Sequence, residues 1–170
     1  GELAALGEGV TRFAVGDRIF GSTGFAFGAH AEYVVLPQKA LLMPLPKELS
    51  ATDAVAILFG GLTAFDFLEK GGVEKGQQVL IYGASGSVGT WAVQIAVQLG
   101  AHVTGVCSKP NMELVKRIGA TTVLDYTDPG FSLPAKTYDI IFDAGGKSTY
   151  ATCLAALTKR GVYLRTVNIT

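Results

Sequence analysis

From Gln78 onward the apolar residues come in short, nearly continuous runs: "QVLIY", "HVTGVC", "TTVLDY", "YDIIFDA" and "GVYLRTV". Between the runs the spacing turns helical. Val88, Trp91 with Ala92, Ile95 and Leu99 share one face of a predicted helix over Ser87–Leu99, which Gly100 stops. "NMELVKRI", closed by Gly119, and "STYATCLAALTK" predict two more helices. Strands that are apolar throughout, alternating with helices, belong in a parallel sheet covered on both faces.

The first 45 residues follow another pattern. Apolar pairs stand between Gly7, Gly9, Gly16-Asp17 and Gly21, and the β-branched "AEYVVLP" ends at Pro37. This predicts short strands and turns, with no partner before the first strand. Ser50, with Asp53 three residues on, has the spacing of a helix N-cap. Ala54, Ile57, Leu58, Leu62, Phe65 and Leu68 then recur at helical spacing, predicting a helix over Ser50–Lys70, with Gly60-Gly61 as the point where it could break. The predicted class is α/β: a Rossmann-type doubly wound parallel sheet over 75–170, preceded by a partial all-β unit over 1–45 and a helical connection over 46–74.

Composition narrows the partners. The chain has 170 residues, 49% hydrophobic, and its 14 basic and 14 acidic side chains cancel. No basic stripe marks a nucleic-acid surface. The apolar stretches read as broken well short of the roughly 20 residues a spanning helix needs, and no signal peptide opens the sequence. The expectation is therefore no nucleic acid, no membrane and a cytoplasmic location. Cys107 and Cys153 are read as two buried thiols in a reducing compartment. With only His30 and His102 besides, no spacing suits a metal, and His30 is read as a surface or packing residue.

"YGASGSVG" carries the chemistry. It follows a strand, opens a helix, and reads Ala84-x-Gly86-x-x-Gly89, the dinucleotide spacing with Ala in first place. The first small residue allows the turn, the second admits a pyrophosphate to the backbone, and the third lets helix and strand pack. The helix N-terminus adds amide donors and a positive dipole end. An acid at the end of the next strand would bind the ribose hydroxyls of NAD. This chain has Cys107-Ser108-Lys109 there. A hydroxyl and an ammonium suit a 2′-phosphate, so NADP(H) is the expected cofactor.

Together "GEGVTRFAVGDRIFG", "GAHAEYVVLP", "GGLTAFDFL", "GQQVLIYGASGSVGTWAVQIAVQLGA", "VLDY" and "YDIIFDAGG" resemble the medium-chain dehydrogenase/reductase superfamily. More narrowly they are similar to its zinc-free quinone oxidoreductase (ζ-crystallin-like) branch. The resemblance implies that 1–45 are part of a GroES-like catalytic barrel. It also implies that 75–170 are a Rossmann domain lacking its last strand, so that the chain is a piece of a longer enzyme. It implies that Ser85, Gly86, Ser87, Val88 and Gly89 hold the pyrophosphate. By the same resemblance Ser108 and Lys109 would face the 2′-phosphate with Tyr126 nearby, Thr63 would lie by the nicotinamide, and Lys147, Thr166, Val167 and Asn168 would line the cleft. Zinc-dependent relatives carry a four-cysteine lobe and a ligand Cys four residues before the Thr that matches Thr63. Here "GSTGFAFGAHAEY" has no Cys and Phe59 stands at the ligand position, so no metal is expected.

The implied activity is hydride transfer from NADPH to a small-molecule electron acceptor, a quinone or an α,β-unsaturated carbonyl. No proton donor is identified, and the chain alone is expected to bind cofactor and reduce little. The same motifs occur in enoyl reductase modules of multidomain synthases and in non-catalytic crystallins, which are the alternative readings. The resemblance implies a homodimer weakly.

Overall fold

The structure, a computed structural model, describes residues 1–146 and 148–166. It divides into two compact units, Gly1–Leu58 and Phe59–Thr170. In the first, β1 (Ile19–Gly21) pairs antiparallel with β2 (Leu42–Pro44), Phe20 opposite Met43. Helix α1 (Ala51–Ala56) starts as its cap spacing predicts, with the Ser50 hydroxyl accepting from the Asp53 amide at 3.1 Å. The strand expected over "AEYVVLP" does not form. Val35 is 95% exposed, with Tyr33 and Val34 also open. β-branched residues form a strand only where a neighbouring strand takes up their amides and carbonyls, and among the described residues no strand pairs with this segment.

The helix predicted over Ser50–Lys70 runs through Gly60-Gly61 without a break. Ile57–Gly61 form a π-helical turn that leads into α2 (Leu62–Gly71). The reason is packing: a Cβ on Gly60 would lie 2.5 Å from Ser87 Oγ, so the glycine permits contact with the next helix start rather than a stop. As a result Ala51–Gly71 is a 21-residue helical run of mean hydropathy 1.5, long and apolar enough by length and composition to cross a membrane. The sequence expectation of shorter stretches is corrected on that point. Of its most apolar window 28% is buried, and Ala64 and Leu68 of α2 are in the core of the second unit. Gly72, left-handed at φ 66°, ends α2.

The second unit holds β3 (Gln78–Tyr82), α3 (Ser87–Gln98), β4 (His102–Cys107), α4 (Met112–Arg117), β5 (Thr122–Asp125), β6 (Tyr138–Asp143), α5 (Tyr150–Ala156) and β7 (Leu157–Arg165). The five strands are parallel in the order β5-β4-β3-β6-β7. The order reverses between β3 and β6, and ligands of such sheets bind at the carboxyl ends beside that reversal. Val79 and Ile81 face one side with Ala64, Leu68, Ala92, Val93 and Ala96. Leu80 faces the other, with Ile141, Cys153, Ala156 and Leu157. This period of two within an unbroken apolar run is what a sheet buried on both faces requires.

One boundary differs from the sequence reading. The helical pattern of "STYATCLAALTK" runs to Lys159, yet α5 stops at Ala156 and β7 begins at once with Leu157. Leu157 is buried among Tyr138, Ile141 and Cys153, and it pairs with Tyr138 across the sheet. Packing of that one side chain overrides the helical periodicity.

Candidate functional site

The reversal point is built from two loops. Residues 83–86 follow β3, and residues 144–146 with 148–149 follow β6. Gly83 is left-handed at φ 77°, and a Cβ there would lie 3.1 Å from the Gly145 amide nitrogen. The left-handed turn therefore belongs to Gly83, one residue before the position that the spacing singles out. Ala84 instead is buried, with its Cβ against Gly105 of β4.

The other two glycines have different causes. A Cβ on Gly89 would drive into the Gly83 carbonyl oxygen and come within 2.8 Å of Ala84 Cα. Helix α3 can pack on the turn only without it, as the third place of the spacing predicts. Gly86 is not forced by the chain. Its φ of −79° suits any residue, and a Cβ would meet only the Gly83 carbonyl oxygen, at 3.4 Å. What a side chain at Gly86 would obstruct is therefore the outer, solvent side. Gly86 is also the N-cap of α3 and provides no side-chain cap, so the first-turn amides keep their donors for an external acceptor. Ser85 is half-buried, Ser87 exposed and Val88 buried. The residues present thus fit a dinucleotide phosphate: a donor-rich helix start, with backbone bare at the point of approach.

Thr63 lies half-buried in the first turn of α2, directly after the π-helical turn that seats Gly60 on Ser87. The two helix starts are therefore brought together. Thr166 is tied to the reversal point: its amide and hydroxyl both donate to the Asp143 carbonyl, at 3.2 and 3.3 Å. Lys147, Val167 and Asn168 lie outside the described residues.

Ser108 and Lys109 follow β4 as predicted. Asn111 Nδ2 donates to Ser108 Oγ at 3.2 Å, and Lys109 is exposed. Lys109 borders an open groove of about 470 Å³, together with Met112, Asp125, Asp128 and Phe131. Tyr126 is 39% exposed at the end of β5, its amide donating to the Cys107 carbonyl at 3.1 Å.

Two carboxylates escape the sequence reading. Asp143 ends β6 fully buried. Its Oδ2 accepts from the Ser148 hydroxyl at 2.6 Å and from Tyr163 OH at 3.3 Å. Oδ1 accepts from the Gly145 amide at 3.2 Å, and Arg165 Nε is 3.9 Å from Oδ2. The network clasps the loop after β6 to β7. Burial pushes the Tyr163 hydroxyl and the Cys153 thiol beside it above their ordinary values. The signal for Asp143 is present in "YDIIFDA": an acid closing a doubly buried strand must find partners. Asp125 is the second, at the end of β5. The Thr127 hydroxyl and amide donate to its Oδ1 at 2.7 and 2.8 Å. These bonds, with the amide and ammonium of Lys109, hold its carboxyl below the ordinary range. Among the described residues no group of three or more His, Cys, Asp or Glu is placed to hold a metal ion.

Comparison with known proteins agrees with this geometry. Residues 87–165 match the family described as zinc-binding dehydrogenase. The chain is 37% identical over 168 residues to the mitochondrial NAD(P)H oxidoreductase RTN4IP1 of Mus musculus, covering 94% of this chain and 42% of that protein. It superposes on the quinone oxidoreductase from Coxiella burnetii with a TM-score of 0.90 at 30% identity, covering 100% of this chain and 54% of the other. A mycobacterial protein, Rv1454c, solved in complex with NADPH, gives 0.81 at 29% identity, with 96% and 53% covered. The chain spans about half the length of the curated relatives it matches.

Proposed function

The chain belongs to the medium-chain dehydrogenase/reductase superfamily as a quinone-oxidoreductase-like member, and on that premise we propose that it binds NADP(H) and serves zinc-independent hydride transfer to a quinone or α,β-unsaturated carbonyl. One observation supports this most: the turn after β3 leaves Gly86 bare without any need of the fold, at the uncapped start of α3 and at the sheet reversal. The bound nicotinamide supplies the hydride. The chain's residues bind and orient. The α3 amides and Ser85 take the pyrophosphate. Ser108 and Lys109 take the 2′-phosphate, with Tyr126 nearby. Thr63 and the loop clasped by Asp143 hold the nicotinamide end. Zinc independence rests on Phe59 at the position where zinc-dependent relatives carry a ligand cysteine. The reading includes a reducing compartment, in keeping with two free, buried cysteines. The cytoplasm is the expected one, although the mouse relative is named for the mitochondrion.

The test is a titration with NADPH and NADH, followed by calorimetry and by the fluorescence of Trp91, two residues beyond Gly89 and packed against the core. NADPH is expected to bind more tightly, and Lys109→Glu to reverse the order. Equal affinities would remove the 2′-phosphate assignment, and absence of binding would remove the site.

A further inference from the structure

The reading of Lys109 as the 2′-phosphate contact leaves Asp125 unexplained. Cys107 and Asp125 are register partners, so β4 and β5 end side by side. Lys109, two residues past β4, and Asp125, the last residue of β5, border the same groove. Thr127 pins the Asp125 carboxylate from two donors, which fixes its charge in place. The ion pairs among the described residues are Lys70–Asp66, Lys116–Glu113 and Arg165–Asp143. Lys109 is therefore not locked onto Asp125 but lies within its field. Asp128 adds a second carboxylate at the same groove, its Oδ1 accepting from the Gly130 amide at 2.8 Å. The groove that should receive a dianionic phosphate thus holds two carboxylates tied to backbone amides and one exposed ammonium.

Resting on the proposed function, we infer that Asp125 is a specificity-determining residue that holds down the preference for a phosphorylated over an unphosphorylated ribose. A 2′-phosphate carries close to two negative charges and is repelled by a pinned carboxylate. A 2′-hydroxyl carries none and can donate a hydrogen bond to it. The same group therefore penalises one dinucleotide and spares the other. Lys109 supplies the opposite bias, and the balance of the two sets the ratio of affinities.

The experiment measures dissociation constants of NADPH and NADH for the 170-residue chain and for Asp125→Asn, which keeps the acceptor oxygen for Thr127 while removing the charge. The NADPH/NADH affinity ratio is expected to rise about threefold to tenfold, and the gain to shrink in high salt, where exposed charges are screened. An unchanged or lower ratio overturns the inference. Lys109→Gln separates the two readings. If it weakens NADPH alone while Asp125→Asn leaves the ratio fixed, the phosphate site stands and the role of Asp125 falls. If Lys109→Gln weakens both dinucleotides equally, or wild type binds neither, the phosphate assignment and the inference fall together. Far-UV circular dichroism verifies that each variant is folded, and Asp125→Ser, which also removes the charge, must move the ratio in the same direction.

Discussion

Three glycines in seven residues have three different physical reasons, and substitution distinguishes them. Gly89→Ala puts a methyl group against the backbone of Gly83 and Ala84, which no rotamer change can relieve. Helix α3 must shift, at a cost of about 1–3 kcal/mol by the usual measure of overpacking. Gly86→Ala meets only one carbonyl oxygen at 3.4 Å and an ordinary φ. It is expected to leave the denaturation midpoint within experimental error while lowering dinucleotide affinity at least tenfold. Chemical denaturation and calorimetric titration of both variants check this. A Gly86→Ala protein that binds as well as wild type would show that nothing approaches the backbone there. The two thiols make a second residue-scale test. Burial raises the values of Cys107 and Cys153, so the neutral thiol is favoured and little thiolate forms at pH 8. Iodoacetamide at that pH should label neither in the folded chain and both in denaturant, as read by mass spectrometry. Labelling of the native protein would mean that the sheet around them opens readily.

At the scale of elements, β6 is both a core strand and the anchor of a loop. Ile140, Ile141 and Phe142 are buried in the sheet, and Asp143 then gathers Gly145, Ser148, Tyr163 and Arg165 around one carboxylate. Asp143→Asn faces the Ser148 and Tyr163 hydroxyls with an amide that is a poorer acceptor. The expected loss is about 1–3 kcal/mol, read as a lower urea midpoint with an unchanged slope. In the double variant with Ser148→Ala the losses should not add, because both remove the same bond; strict additivity would dissolve the clasp. The strands themselves were legible from the sequence because a doubly buried strand is apolar at every position, and Val79-Leu80-Ile81 has no other stable use. The glycine turn was legible because strand, spacing and helix agree. Three things were not. The π-helical turn depends on a contact between Gly60 and Ser87, which are 27 positions apart. The early end of α5 depends on Leu157 filling a place beside Tyr138. The missing strand at "AEYVVLP" depends on a neighbour that no local pattern describes. Asp125 is the instructive case. The dinucleotide pattern places an acid at the end of β4, whereas this chain carries Asp125 across the register on β5.

For the molecule as a whole, every described residue assigned to the cofactor lies in the unit Phe59–Thr170: Thr63, the 84–89 turn, Ser108, Lys109, Tyr126 and Thr166. With 14 basic and 14 acidic side chains the chain carries no net charge to draw in an anionic dinucleotide, so on the proposed reading affinity comes from the local donors and from Lys109. This fixes what binding does to stability. A ligand that binds only the native state at one hundred times its dissociation constant adds about 2.7 kcal/mol. For a unit of this size that is a rise in melting temperature on the order of 10 °C. NADPH should give this rise, and NADH at the same total concentration a smaller one. Lys109→Glu should invert the two shifts, while Asp125→Asn should widen the gap between them. Differential scanning calorimetry at low and moderate salt reads the three proteins with both ligands on one scale. Equal shifts in every variant would place the source of stabilisation away from the ends of β4 and β5. A gap that closes as salt rises would show that the discrimination is electrostatic, as a groove with one ammonium and two carboxylates requires.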